Sequence, residues 1–367
     1  MLIARAPVRI SFAGGGTDLP AFFERYGGAV VSATLDKYVY VILTVHGGEE
    51  LQILSSDYRT FYRHNPGEAL LWEGDLNLPR AILHEFGIHH GVSMFLASEV
   101  PPGTGLGSSS TLTVAAVKAV SAARGQMLSQ HQVARLATRV ELEKMGMPIG
   151  YQDQYAAAFG GLNFFEFQAA GTRVTPIRTP PGTLDQLQRN LLLFFTGTAR
   201  ESSQILSRQR ENTERKQGDT VGALQTVRDL AYTLRDTLQR GDLAGFGECL
   251  HAGWEQKKKF AAGVSNAEID AAYAAARAAG AVGGKIAGAG GGGFMMIYCR
   301  DGAQTAVTEA LGARGLRRMD YHFEEGGARV LLNAGLRLPP TAPSDQPPPD
   351  KLGPAGEPLP PAPRETP

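Results

Sequence analysis

Cysteine is scarce in this chain: two among 367 residues, Cys249 and Cys299, with no Cys-x-x-Cys pair and no histidine cluster. That excludes a disulfide framework and a structural zinc site, and leaves each cysteine as a small apolar residue of the interior. Charge of one sign is missing too, since 36 basic residues balance 36 acidic ones. No global field draws such a chain to nucleic acid or to an anionic membrane, and a small-molecule partner is favoured. Nowhere do eighteen apolar residues follow one another, and the opening MLIARAPVRISFAGGG carries its arginines inside the apolar run rather than ahead of it. This is neither a membrane span nor a signal peptide, so a cytoplasmic location is the default. The eight histidines show no ligand or triad spacing; His89 and His90 read as loop residues. The length gives room for about two domains and a sizeable core.

What the chain does have is glycine, gathered into three stretches: APVRISFAGGGTDLP, PPGTGLGSSST and KIAGAGGGGF. The second precedes an apolar helical pattern, which suggests an anion site, because a starting helix offers free N–H groups and a positive dipole end. Walker A is excluded, as no lysine follows the loop until Lys118. A dinucleotide fingerprint is excluded as well: Gly103, Gly105 and Gly107 alternate as Gly-x-Gly-x-Gly, and no acidic residue lies between Glu99 and Glu141. A third kind of anion loop and a plain strand-to-helix turn both remain open at this point. In the third stretch and the two positions before it, seven glycines from Gly283 to Gly293 exceed what a turn needs, and imply repeated close approach of backbone.

Periodicity places these stretches. Leu2 to Ala13 alternates as a strand into a tight turn, and TDLPAFFERYGG follows as a short helix with Thr17 or Asp18 as N-cap, Pro20 in its first turn and Gly27 as terminator. KYVYVILTV, GVSMFLASEV, GGLNFFEF and RNLLLFFTGT read as strands. Ser129 and Gln132 form a capping-box pattern that opens a helix through Val133, Leu136 and Val140 to a stop near Gly146, which puts Asp153 just past a helix end. Long helical periodicity follows from residue 201 to 260, then strand around the third glycine stretch, an α+β alternation. The division expected is 1–185, 186–338, and a tail, 339–367, with twelve prolines in twenty-nine positions and too few large apolar residues to repay ordering.

Taken in order, the three glycine stretches resemble the three motifs of the GHMP small-molecule kinases. Within them RAPVRISFAGGGTDLP, YGGAVVSATLDKYVYV, TGTARESSQIL and WEQKKKFAAGVSNAEID are similar to the kinases of D-glycero-D-manno-heptose 7-phosphate. One departure is Gly14, Gly15, Gly16, Thr17 and Asp18, where the galactokinase form has Gly-Glu-His-Thr-Asp; it speaks against galactokinase. The resemblance implies an α+β, two-domain fold, with an N-terminal domain like ribosomal protein S5 domain 2 and a ferredoxin-like C-terminal domain. It implies ATP and Mg2+, a sugar phosphate as the small-molecule substrate, and phosphoryl transfer to the anomeric hydroxyl; a homodimer is compatible with it. Another sugar or a mevalonate-like acid as acceptor is the neighbouring reading. An ATP-dependent decarboxylase and a non-catalytic sensor are the readings from other classes.

Residue by residue, the resemblance makes Pro102, Gly103, Thr104, Gly105, Leu106, Gly107, Ser108, Ser109 and Ser110 the nucleotide-phosphate loop. Ser109 and Glu141 become the magnesium ligands, since a hydroxyl and a carboxylate are hard oxygen donors. Glu141 lies twelve residues before Asp153, the implied proton acceptor. Arg9 stands where the family carries Arg or Lys, and its fixed charge suits a developing alkoxide. Gly15, Gly16, Thr17, Asp18, Gly290 and Gly291 are the expected acceptor contacts. Lys257, Lys258, Lys259 and Arg200 are candidates for the acceptor's own phosphate.

Overall fold

The computed structural model describes residues 1–46, 48–57, 59–65, 74, 76–197 and 202–338. The proline-rich tail 339–367 and Arg200 lie outside the described residues. The α+β chain builds two sheets. The first has nine strands: β1 (Leu2–Ala13), β2 (Gly28–Val45), β3 (Leu51–Ser55), β4 (Thr60–His64), β5 (Val92–Ser98), β6 (Leu162–Gln168) and β7 (Gly171–Pro176) from the first half. The second has four: β8 (Leu191–Phe195), β9 (Ala281–Ile286), β10 (Phe294–Cys299) and β11 (Arg317–Met319). The chain then returns to the first sheet with β12 (Phe323–Glu324) on β2 and β13 (Arg329–Asn333) on β1. A single cut near residue 185 therefore does not divide the strands, because the last two belong with the first seven.

Helices α1 (Pro20–Tyr26), α2 (Asn77–Glu85), α3 (Ser108–Ala123), α4 (Gln130–Thr138) and α5 (Gln152–Phe159) belong to the first lobe. Helices α6 (Thr183–Asn190), α7 (Ser202–Glu214), α8 (Thr220–Arg240), α9 (Leu243–Lys257), α10 (Ala267–Ala278) and α11 (Gln304–Gly312) follow. In the second sheet the order β11-β8-β10-β9 is antiparallel throughout, the ferredoxin-like order 4-1-3-2 for its four strands.

The two longest strands show how the lobes meet. In β1 residues 2–6 alternate between buried and half-buried, and from Ala6 onward every residue is buried; β2 runs the other way, buried from Gly28 to Leu35 and then near-alternating. Alternation means one covered face, and a continuous apolar run means two. The alternating ends rest on α3 through Val114, Ala115 and Val117, while Val8, Ile10, Phe12, Ala29 and Val31 also join a core with Leu234, Phe246 and Met296 of the second lobe. Helix α3 can sit this deep because its inward residues are alanine, valine and threonine, small enough for close backbone approach.

Three local readings change. Helix α1 is capped by Leu19, with Pro20 first and Gly27 ending it at φ 67°; Thr17 and Asp18 do not cap it, since both side chains are engaged with other backbone. The Ser129–Gln132 capping box forms as read, but after Thr138 the helix widens into a π-helical turn, Arg139–Lys144. Asp153 lies in the first turn of α5 rather than beyond a helix end.

Candidate active site

Strand β5 feeds the Gly-x-Gly-x-Gly loop, which takes positive φ at all three glycines, 72° at Gly103, 83° at Gly105 and 76° at Gly107. Those values favour glycine and curl successive N–H groups toward one side, the geometry of an anion nest. Gly107 is the N-cap of α3, and no side chain caps that helix; the cap role open to a serine is not taken. Among the described residues, a sixteen-residue helix thus begins with no side-chain cap on its first N–H groups. Ser108 and Ser109 line a cleft of about 210 Å³ with Pro102, Leu78, Met145 and Met147, and with Asp57, Asn77 and Ser98 as polar groups. An apolar slot with a few polar atoms, opening onto an anion nest, fits a nucleoside base beside its phosphates. Thr104 and Leu106 are fully buried and act through backbone: Thr104 O accepts from Phe294 N, and Leu106 O from Arg9 N.

Arg9, 3% exposed, binds the loop to the acid. Its guanidinium donates to Gly105 O at 2.7 Å and, through Nε at 2.8 Å and Nη2 at 2.6 Å, to the single oxygen Oδ1 of Asp153. Oδ2 lies on the other side, 3.0 Å from where a Cβ on Gly107 would stand. A side chain at 107 would crowd the carboxylate, so Gly107 serves here chiefly for its φ. Loop end, guanidinium and carboxylate form one contact group, with Asp153 partly open to solvent at 23%.

Glu141 points inward from the π turn and is wholly buried. Its carboxylate accepts from Thr113 Oγ1 at 2.8 Å and from Gln154 Nε2, beside the Ser110 hydroxyl; burial pushes it up to about 7 against those stabilising bonds. Glu143, by contrast, is exposed. Ser110, rather than Ser109, is the loop serine in this network, with Gln154 Nε2 donating to its Oγ at 3.2 Å. Gln154 Oε1 is buried without a partner. A carboxylate, a hydroxyl and an orphaned amide oxygen, all hard donors with no cationic side chain among their hydrogen-bond partners, fit a divalent ion such as Mg2+.

The first glycine turn supports the other side of Asp153. Asp18, 2% exposed, accepts from Gly16 N, Gln152 N and Gln152 Nε2. Burial first, then the Asp153 charge, raises it above the usual carboxylate range. Thr17 is fully buried, its hydroxyl held between Gly14 O and Ala29 O, so it is a turn residue and not an acceptor contact. Gly15 faces Ser11 and Gln152, whose Oγ and Oε1 respectively are buried without partners; Gly16 O accepts from Gln209. Gly290 packs on Val264, and Gly291 N donates to Val264 O, so both are engaged in backbone packing. The third motif supports the second in the same way: a Cβ on Gly105 would lie 2.5 Å from Ala287 O, and one on Gly288 2.6 Å from Gly105 Cα.

Two lysines complete the group. Of the KKK run, Lys258 pairs with Glu255 and Lys259 with Asp219, while Lys257 turns inward and donates to Ile286 O and Gly288 O. Burial, then the Arg9 charge, brings it down to about 7. Lys285 of β9 donates to Phe12 O across the lobes, and burial takes it well below the lysine range. Lys285 stands at the first position of the third glycine stretch, and Gln152 and Gln154 lie in none of the three, so no motif gives any of these side chains a role. A lone lysine inside the apolar strand AVGGKI was the one available signal, since such a residue seldom enters a core without a task.

Comparison with known proteins follows this geometry. Residues 77–161 match the model of the GHMP kinases N terminal domain and residues 234–316 that of the GHMP kinases C terminal. The chain is 31% identical over 333 residues to D-glycero-alpha-D-manno-heptose 7-phosphate kinase of Campylobacter jejuni, covering 89% of this chain and 97% of that protein. It is 26% identical to mevalonate kinase of Thermococcus sibiricus over 90% of this chain and 98% of that one. The crystal structure of a D-glycero-D-manno-heptose 1-phosphate kinase from Bacteroides thetaiotaomicron superposes with a TM-score of 0.75 at 27% identity, over 91% of this chain and 99% of that chain. With its first two glycine motifs meeting beside Asp153, the third packed on the second, and both halves matched, the chain belongs to the GHMP kinase family.

Proposed function

We propose that the protein transfers the γ-phosphoryl group of ATP to the anomeric hydroxyl of D-glycero-D-manno-heptose 7-phosphate, giving the 1,7-bisphosphate. The observation that carries this reading is the contact of Asp153 and Arg9 with the Gly107 end of the anion loop. Phosphoryl transfer asks a protein chiefly for position and electrostatics. The loop from Gly103 to Ser110 and the uncapped start of α3 hold the nucleotide phosphates, and the adjoining cleft takes the base. Asp153 receives the acceptor's hydroxyl proton at Oδ2, the oxygen that Arg9 leaves free. Arg9 holds the other oxygen and offsets the alkoxide charge as it develops. Glu141 and a loop serine, Ser109 or Ser110, would hold Mg2+, which when bound supplies charge neutralisation on the nucleotide.

The two inward lysines favour an anionic acceptor. Among the described residues their only hydrogen-bond acceptors are carbonyls, and they face Arg9 and Asp18 in a region that an extra negative charge would stabilise. Two lobes enclose such a site, the first of them completed by the returning strands β12 and β13, and the cytoplasm, which supplies ATP, is its natural setting. An acceptor screen at fixed ATP tests the reading. The heptose 7-phosphate is expected to be turned over at least about a hundredfold more efficiently than the unphosphorylated heptose, the penalty of leaving buried cations unpaired. A faster unphosphorylated sugar, or faster mevalonate, would refute the choice of acceptor.

A further inference from the structure

Among the described residues, half of the first sheet has one covered face and one face over which nothing packs. On the helix side Leu2, Ala4, Val41, Leu43, Leu51, Ile53, Met94 and Leu96 are buried. On the other side the register aligns a single row across six strands: Leu332 opposite Ile3, Ile3 opposite Ile42, Ile42 opposite Phe95, Phe95 opposite Leu54, and Leu54 opposite Phe61. All six are apolar and none is buried; Leu332 is 45% exposed, Phe95 38% and Phe61 54%. Among the described residues no helix packs over this row, since α8, α9 and the second sheet cover only the other half of β1 and β2. Single exposed apolar residues are ordinary, but a contiguous row from edge to edge of a sheet marks a contact surface.

We infer that this row is the interface of a two-fold dimer, in which the row of one copy packs antiparallel against the row of the other. Its composition argues for a second copy. One half is aliphatic, Leu332, Ile3 and Ile42; the other holds both aromatics, Phe95 and Phe61, around Leu54. A two-fold axis lying across the row brings each half against its complement, Ile42 on Phe95 of the partner subunit and Leu332 on Phe61 of the partner subunit. That is an isologous, self-closing contact. The flanking positions raise no charge barrier. Thr44, Ser93 and Gln52 are neutral, Ser93 donating to Gln52, while Arg63 is paired with Glu50 and Arg5 with Glu324 at the ends. A chain of zero formal charge adds no long-range repulsion between copies. Strand spacing makes the row about 24 Å long, and with its flanking residues it buries roughly 500–600 Å² per copy, near the 1,000 Å² total at which specific interfaces begin. An interface of that size suits a reversible dimer, for which the micromolar range is the expected window.

Sedimentation velocity on the full chain from about 1 to 100 μM, a range that brackets such an interface, tests this. The native chain is expected to pass from monomer to dimer across it. Leu332→Lys and Phe61→Glu, each at an exposed position remote from Asp153, should each weaken the dimer at least about tenfold with melting temperature and turnover unchanged. The two together should restore dimer, because each new ammonium then meets the partner's new carboxylate, whereas within one chain the two positions lie at opposite ends of the row. A chain that stays monomeric, with the row bare or covered by its own residues 339–367, overturns the inference. So does a dimer indifferent to the single variants, or one that the combined variant fails to restore.

Discussion

Arg9 is the residue on which the site's geometry turns, since it alone touches both the loop carbonyl of Gly105 and the carboxylate of Asp153. Arg9→Met should lower kcat by about 10²–10³, the usual cost of one preorganised donor, with nucleotide affinity changed much less. Steady-state kinetics beside nucleotide titration would separate the two. Lys257 carries a pH signature. In the unfolded chain it titrates near 10.5 and in the fold at about 7. Between those values the unfolded chain binds more protons, so this lysine makes stability rise with pH; its full destabilising effect is present below about pH 7. An anionic acceptor draws the proton back. The KM for the phosphorylated acceptor is thus expected to rise from pH 7 to pH 9, a trend that Lys257→Met should flatten. A KM independent of pH in the native chain would remove Lys257 from acceptor recognition.

Elements, rather than single residues, explain the glycine excess. The third motif lies under the second, with Gly105 against Ala287 and Gly288 against Gly105. Gly105→Ala would place a Cβ 2.5 Å from a carbonyl oxygen at φ 83°. It should cost about 1–2 kcal/mol for the backbone conformation alone, and more for the collision. Urea unfolding would read that loss, and nucleotide affinity should fall with it; an unchanged midpoint would mean the loop can move aside. Much at this scale was legible in sequence. The alternation of Leu2 to Ala13, the capping box at Ser129 and the β-branched runs each report on their own neighbours. The π turn that buries Glu141 was not legible, because nothing in RVELEK distinguishes a widened turn from a regular one. Nor were the caps of α1 and α3: Asp18 and the loop serines have the right chemistry for capping, and tertiary partners claim Asp18 while Gly107 takes the cap of α3.

For the whole molecule, the decisive feature is that β1 and β2 pass from a face covered once to a face covered twice, which sets Arg9 at the junction of the lobes. Sequence order gave three motifs and a resemblance; only folding brings Lys285 to Phe12 and returns β13 to β1, because those contacts join residues hundreds of positions apart. The central claim is that Asp153 serves the acceptor while the loop serves the nucleotide. Asp153→Asn measured for turnover and for nucleotide affinity in parallel tests it most directly. Turnover should fall by at least about 10², the lower range for loss of a proton acceptor, with affinity for ATP within about threefold of native. Near-normal turnover in that variant would contradict the account.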